Sequence, residues 1–386
     1  MKTPIYMDHH STTPMDPCVL EAMHPFLTNK FGNAASQAHV FGRQASEAVE
    51  EARGKIAAVI GARPEEIAFT SGATESDNTT LLGLSGEDGD HVITSPTEHR
   101  AVLDPAKQLE RRGFKVTYLP VDRYGFVDPA DVERAITRRT VLVSLMAANN
   151  EVGLLHPLEE IGEITRRKGV LFHSDAAQAL GKVPLHVTRM NLDLVSFSAH
   201  KIYGPKGVGA LYIRLQSGAR LTPLIHGGGQ ERGLRSGTLN VPGIVGFGKA
   251  VELACGQREA EARKLAGMRD RLHEILRSEL EGVELNGHPR NRLPNNLNVS
   301  FMGVDGEALI LSLEDVALST GSACMSLSAE PSHVLEAMGL GNDRIRSSVR
   351  FGLGRFNTDE EIEYVGGRVV EVVKRLRRLA PLNASG

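Results

Sequence analysis

The sequence predicts an α/β protein in two parts, a large domain on a mostly parallel sheet and a smaller α+β domain. Three observations carry that expectation. The chain has 386 residues, more than one ordinary core accommodates. Between Ile67 and Ile213, short apolar strands alternate with segments of helical period. That is the rhythm of a parallel sheet covered on both faces. Beyond about residue 280, strands and helices mix without strict order. The expected boundaries are 16–258 for the large domain, and 1–15 with 259–386 for the small one.

The opening piece, Ile5 to Asp8, reads as extended and is expected to pair with the small domain. Pro17 to Leu27 has helical spacing. A longer helix is predicted from about His39 to Ile60, where Val40, Ala45, Val49, Ala52, Ile56 and Val59 recur near the helical period. Gly61 and Pro64 stop it. Strands are predicted at Ile67–Thr70, Val92–Ser95, Val116–Pro120, Val141–Ala147, Val170–Ser174, Leu194–Ser198 and Ala210–Ile213. Helices fall near Ala73–Leu84, Ala101–Arg112, Pro129–Ala135 and Leu158–Lys168. A long helix follows Pro242, from Gly243 to about Leu280, with a kink expected near Gly256. The last part holds strands at Asn298–Phe301 and Ser347–Gly352, and helices at Glu307–Leu313, His333–Met338 and Thr358–Leu379.

Composition excludes several function classes. Hydrophobic residues make up 41% and charged residues 24%, the balance of a water-soluble globular chain. A net charge of −3 supplies no field to draw DNA or a membrane surface. No apolar run approaches the roughly 18 residues of a membrane span. The first ten residues lack an apolar signal core, so a cytoplasmic protein is expected. Cys18, Cys255 and Cys324 have no metal-ligand spacing and are expected as free thiols. Cys18 and Cys255 read as small buried hydrophobes.

Ligands of such sheets sit beyond the carboxyl ends of the strands. Suspicious polar residues gather at five predicted strand ends: Thr70–Thr74, His99, Asn149–Asn150, Asp175–Gln178 and His200–Lys201. Lys201 lies on a Gly/Pro turn between two strands, placed to attack an aldehyde once its amine is neutral. Asp175 closes the preceding strand and can hold a protonated ring nitrogen, although taken alone it reads rather as a helix cap. Those are the two protein groups that pyridoxal phosphate requires as an electron sink. The turn at Gly72-Ala73-Thr74 opens a helix and suits a phosphate, or serves as a plain cap. The loop Gly227–Thr238, with Arg232 and Arg235 among glycines, suits an oxyanion or a flexible connector.

Together these residues resemble the NifS/IscS-like cysteine desulfurases, class-V members of the aminotransferase-like pyridoxal phosphate enzymes. The matching pieces begin with Tyr6-Met7-Asp8-His9-His10-Ser11-Thr12-Thr13-Pro14, Phe31-Gly32-Asn33 and Thr70-Ser71-Gly72-Ala73-Thr74-Glu75. Thr97-Glu98-His99, Asn149-Asn150-Glu151-Val152-Gly153, Asp175-Ala176-Ala177-Gln178 and Ser198-Ala199-His200-Lys201 follow. Arg235-Ser236-Gly237-Thr238, Gly321-Ser322-Ala323-Cys324 and Arg350-Phe351-Gly352-Leu353-Gly354-Arg355 complete the series. The resemblance implies the pyridoxal phosphate-dependent transferase architecture, aspartate-aminotransferase-like and of fold type I. It implies a homodimer that takes L-cysteine, gives alanine, and passes sulfur to an iron-sulfur scaffold or another acceptor protein.

By the same resemblance, Lys201 holds the cofactor and moves protons, Asp175 pairs with the ring nitrogen, and Gln178 reaches the ring hydroxyl. His99 stacks on the ring and shuttles protons. Ala73, Thr74, Ser198 and His200 bind the phosphate, and Thr238 reaches the phosphate of the neighbouring subunit. Asn150, Arg350 and Asn33 serve the substrate, with Arg350 taking its carboxylate. Cys324 is the thiolate that collects the sulfur; no resident metal is implied, and Cys324 is at most a transient cluster ligand. Its neighbours Ser319, Thr320, Gly321, Ser322, Ala323, Ser326 and Ser328 are small and mostly polar, so the segment is expected to bury little. An aminotransferase would use Lys201, Asp175 and Arg350 without Cys324. A thiol-based metal binder would use Cys324 alone, and selenocysteine is a second candidate substrate. The family's aromatic C-terminal tail has no counterpart in Leu379–Gly386.

Overall fold

A computed structural model describes residues 3–84, 86–87, 89–320 and 331–379. Cys324 and the last seven residues therefore lie outside the described part.

In chain order the elements begin with β1 (Ile5–Tyr6), α1 (Pro17–Thr28), α2 (Val40–Ile60), β2 (Ile67–Thr70) and α3 (Ala73–Leu82). Next come β3 (His91–Thr94), α4 (Arg100–Arg111), β4 (Lys115–Tyr118), α5 (Pro129–Ala135), β5 (Thr140–Ser144) and α6 (Leu158–Lys168). β6 (Leu171–Asp175), β7 (Leu194–Ser198), β8 (Gly209–Ile213) and α7 (Val241–Glu279) follow. The chain closes with β9 (Val283–Leu285), β10 (Asn296–Phe301), α8 (Gly306–Leu311), β11 (Val316–Ala317), α9 (His333–Ala337), α10 (Asn342–Arg346), β12 (Ser348–Gly352) and α11 (Asp359–Leu379).

Seven strands form the main sheet in the order β2-β8-β7-β6-β5-β3-β4. Neighbours from β7 to β4 pair in parallel, and β8 alone runs against both β7 and β2. The expected mostly parallel sheet is thus present. Its strands are buried along nearly their whole length, except the half-exposed edge strand β4, as both-face coverage requires. The α2 helix ends on Gly61 at φ 71°, a left-handed cap that glycine adopts without penalty.

The main hydrophobic core joins this sheet to α1, α2 and the first part of α7, from Val241 to Ala254. A second core gathers around the antiparallel strands β9, β10 and β12. It takes Leu265, Met268, Leu272 and Leu276 from the far part of α7, and Val365, Val369 and Val373 from α11. One helix therefore serves both cores. The kink expected at Gly256 is not found, because α7 runs unbroken for 39 residues. A lone glycine weakens a helix by about 1 kcal/mol without breaking it.

Ile5 and Met7 belong to the second core, and β1 pairs in parallel with β11. The chain then crosses to the main sheet, so residues 8–13 form a strap between the cores. Among the described residues, no helix is long and apolar enough to cross a membrane. Cys18 departs from its expected burial. It is exposed in the first turn of α1, where its N–H is capped by Asp16 Oδ1 at 2.9 Å. Cys255 is half-buried against the main core, and burial pushes its thiol pKa up.

The Gly-rich loop is fastened by a buried ion pair. Arg53 on α2 donates to both carboxylate oxygens of Glu231 at 2.8 Å, and the Phe69 N–H donates to Glu231 at 2.7 Å. Removing one member strands a buried charge. Arg53→Leu should destabilise the protein by about 3 kcal/mol in denaturant unfolding, and Arg53→Leu/Glu231→Leu should recover part of that loss. A single variant as stable as wild type would contradict this.

Candidate active site

The carboxyl ends of β2, β5, β6 and β7, with the loop after β3, surround a cavity of about 520 Å3. That volume is within the range of small-molecule sites. Ala73, Thr74, His99, Asn150, Asp175, Gln178, Ser198, His200, Lys201 and Arg350 all line it. The polar strand ends named from sequence thus converge on one space.

Lys201 ends a short 3-10 turn, Ala199–Lys201, between antiparallel β7 and β8. Its Nζ donates to the carbonyls of His10 at 2.6 Å and Ser11 at 2.7 Å, both on the strap. His200 turns its Nδ1 to Thr12 Oγ1 at 3.1 Å. Burial, with the charges of Lys201, Lys206 and Lys182, lowers the His200 pKa to about 3. The ring is therefore neutral at ordinary pH.

Asp175 is the last residue of β6. Its Oδ1 accepts the Ala177 N–H at 2.8 Å, so it does cap the following turn, but no helix forms there. Burial raises its pKa to about 6, and nearby Asp77 pushes the same way. No salt-bridging cation reaches it among the described residues. A carboxylate in that position favours a cationic hydrogen-bond donor from outside the chain. A protonated pyridine nitrogen is such a donor, so the site fits pyridoxal phosphate on its donor set.

The opposite end of the cavity suits an anion. Gly72 offers no side-chain cap to α3, and the first residues of that helix line the space with Ser198 and His200. Free N–H groups at a helix start attract phosphate. Gly72 has φ +154°, and a Cβ on Gly209 would lie 2.6 Å from Gly72 Cα. Glycine at both positions lets β8 and this turn approach closely.

His99 caps α4, and its Nδ1 accepts the Ala101 N–H at 3.1 Å. Burial lowers its pKa, against the pull of Asp175. A neutral ring with an accepting Nδ1 carries its proton on Nε2. Arg350, in β12, is 2% exposed. It donates through Nη1 to the Asn150 carbonyl at 2.8 Å, and through Nη2 to Asp8 Oδ1 at 2.8 Å and Ser11 Oγ at 2.9 Å.

Two residues named from sequence lie elsewhere in the single chain. Thr238 is exposed, and Asn33 lines a separate concavity with Gln230, Arg232 and Leu239. The arginines of the Gly-rich loop do not line the cavity either. Arg235 Nε meets Glu75 Oε1 at 2.9 Å, and Arg232 Nη2 meets the Ile67 carbonyl at 2.9 Å. The chain's own acceptors thus engage both groups expected to suit an oxyanion. Cys324 lies outside the described residues.

Other groups escaped sequence reasoning. Asp77, Glu98 and His173 are buried behind Asp175. Burial lifts Asp77 to about 7 and Glu98 well above the carboxylate range, and lowers His173 to about 4. Glu98 lies within the matched piece Thr97-Glu98-His99 but is given no role by the resemblance, and His173 stands two positions before Asp175.

Asp175 has its folded pKa, about 6, above its ordinary 3.8. Its buried charge therefore costs stability above pH 6, and the cost is absent below pH 3.8. Cofactor-free Asp175→Asn should melt above cofactor-free wild type at pH 8, and the two curves should converge near pH 4. Scanning calorimetry across that range checks this; equal melting at pH 8 would contradict it.

The aminotransferase class-V family model matches residues 5–365. A protein named cysteine desulfurase IscS, from Anaeromyxobacter dehalogenans (strain 2CP-C), is 55% identical over 385 residues, 99% of this chain and 95% of the relative. A solved structure titled NifS-like protein superposes with a TM-score of 0.90 at 41% identity, covering 96% of this chain and 100% of its own. A second, titled SspA in complex with cysteine, gives a TM-score of 0.80 at 38% identity, covering 92% and 100%. The converging strand ends thus have the architecture of fold type I, and the chain belongs to the class-V aminotransferase family, within its IscS/NifS-like cysteine desulfurases.

Proposed function

We propose that this chain takes sulfur from L-cysteine, leaving L-alanine and a persulfide on Cys324. The observation that carries this reading is the single cavity shared by Lys201, Asp175 and Arg350. In it Lys201 holds pyridoxal phosphate covalently, Asp175 pairs with its ring nitrogen, and Gln178 turns toward its hydroxyl. Ala73, Thr74, Ser198 and His200 take the phosphate. When bound, that group supplies an electron-withdrawing ring that loosens bonds at the substrate's α-carbon.

The chain's own residues supply the rest. Arg350 and Asn150 orient the amino acid, with the guanidinium facing its carboxylate. Lys201 Nζ carries protons at the substrate carbons, and His99 presents a proton on Nε2. Cys324 attacks as a thiolate, the nucleophilic form of the side chain. The substrate Cβ–S bond breaks and an S–S bond forms at Cys324 Sγ. The electron pair of the broken bond stays on carbon, which takes a proton and becomes the methyl group of alanine. Sulfur is correspondingly oxidised from thiol to sulfane. L-Cysteine plus the Cys324 thiol thus gives L-alanine plus the Cys324 persulfide, without an outside oxidant.

A homodimer completes the site in this reading, with Thr238 reaching the partner subunit's phosphate and Asn33 serving the substrate. The exposed apolar side chains Leu20, Leu27, Phe31, Val40 and Phe41 support a covered surface near α1 and α2. Residues 16–258 act as the cofactor domain, and 1–15 with 259–386 as the domain carrying the Cys324 segment. The sulfur then passes to an acceptor protein, such as an iron-sulfur scaffold. Free thiols at Cys18 and Cys255 suit a reducing cytoplasm.

The test is to incubate the cofactor-loaded protein with L-cysteine and locate the added sulfur by mass spectrometry. One sulfur atom on Cys324 is expected. Cys324→Ser should lower alanine formation on the order of 10³-fold or more, the scale of losing a nucleophile. Sulfur found on Cys18 or Cys255, or undiminished turnover in Cys324→Ser, would refute the reading.

A further inference from the structure

We propose that Lys182 is a second amine of this site, a positioning residue. It anchors the Gln178–His10 bridge on which Lys201 rests and sets a positive charge against the Lys201 amine. The inference rests on the reading of Lys201 as the amine that holds the cofactor.

The bridge is continuous. Lys182 Nζ donates to Gln178 Oε1 at 2.9 Å. His10 Nδ1 meets the same oxygen at 3.1 Å. Gln178 Nε2 donates to the His10 carbonyl at 2.9 Å, and that carbonyl also receives Lys201 Nζ at 2.6 Å. An ammonium group can only donate. Lys182 therefore fixes which end of the Gln178 amide carries oxygen. His10 must then bear its proton on Nδ1, and the amide nitrogen must face the His10 carbonyl. With the amide reversed, NH2 would confront an ammonium and one oxygen would confront another. When charged, Lys182 thus orders the whole bridge, including the carbonyl that holds Lys201.

The electrostatics point the same way. Lys182 and Lys201 both line a small cavity of about 10 Å3, room for no more than about one water. Burial brings the Lys182 pKa down to about 7, and the Lys201 charge adds to that fall. Glu261 of α7 opposes it but is already engaged by Arg355 Nε at 3.0 Å. Arg258 of the same helix adds a further positive charge to the cavity wall. On the strap, burial holds His9 and His10 neutral, and beyond them stands Arg350. From the 199–203 turn, His200 is neutral, and Tyr203 is kept in its phenol form by burial. Repulsion between two cations is reciprocal. A charged Lys182 therefore favours the neutral Lys201 amine that attack on an aldehyde requires.

The test reads the pH midpoint of the absorbance change of the cofactor bound to Lys201. It compares the loaded wild type with Lys182→Met, Lys182→Gln and Lys182→Arg, and thermal melts confirm that each variant folds. Loss of the charge should raise the midpoint by about one unit in Lys182→Met and in Lys182→Gln. The Gln variant keeps a donor for the bridge and carries the test should the Met variant not fold. Lys182→Arg should stay at or below the wild-type midpoint. A neutral variant with an unchanged midpoint, or an Arg variant that rises with the neutral ones, overturns the proposal. A bound-cofactor band that survives Lys201→Ala overturns instead the reading of Lys201, and this inference with it.

Discussion

Asp175 is a buried carboxylate that, among the described residues, accepts only a backbone N–H. Three acids crowd this region, and burial makes each reluctant to ionise. Asp77 lies near 7, Glu98 well above the carboxylate range, and Asp175 near 6. Of the three, Asp175 alone lines the cavity. The parallel sheet creates the arrangement, because successive strands deliver their last residues to one edge. In the proposed reading a cationic ring nitrogen would satisfy what the polypeptide leaves open, and the same pairing would sustain the ring's pull on electrons.

The second constraint is the strap. Residues 8–13 leave the second core and cross the mouth of the cavity. Asp8 and Ser11 hold Arg350, the carbonyls of His10 and Ser11 hold Lys201, and Thr12 and Thr13 hold His200. Arg350 and Lys201, the side chains proposed to face the substrate and to hold the cofactor, are thus fastened to the same few residues. A movement of the second core relative to the main sheet reaches Lys201 through this segment.

Much of this site was legible in the sequence because strands end where their apolar runs end. Thr70, Asp175 and Ser198 are the polar last residues of their strands, and the sheet topology carries them to one place. Groups whose meaning depends on a distant partner were not legible. His10 and Lys182 lie 172 positions apart and meet only through Gln178. The four-residue spacing of Gln178 and Lys182 looks like a helical coincidence until the fold shows a turn. Asp77 sits mid-helix in α3, where a carboxylate ordinarily faces water. The strand β9 was missed because three residues are too few to show alternation. Thr238 and Asn33 matched the family pattern yet lie away from the cavity of the single chain; for Thr238 the resemblance implies a role across two subunits.

The most direct test is to reduce the cofactor-loaded protein with borohydride, which makes the bond between amine and cofactor permanent, and then map it by peptide mass spectrometry. The pyridoxyl group is expected on Lys201 alone. Its recovery on Lys182 or Lys206, both of which also face this region, would contradict the assignment of the site.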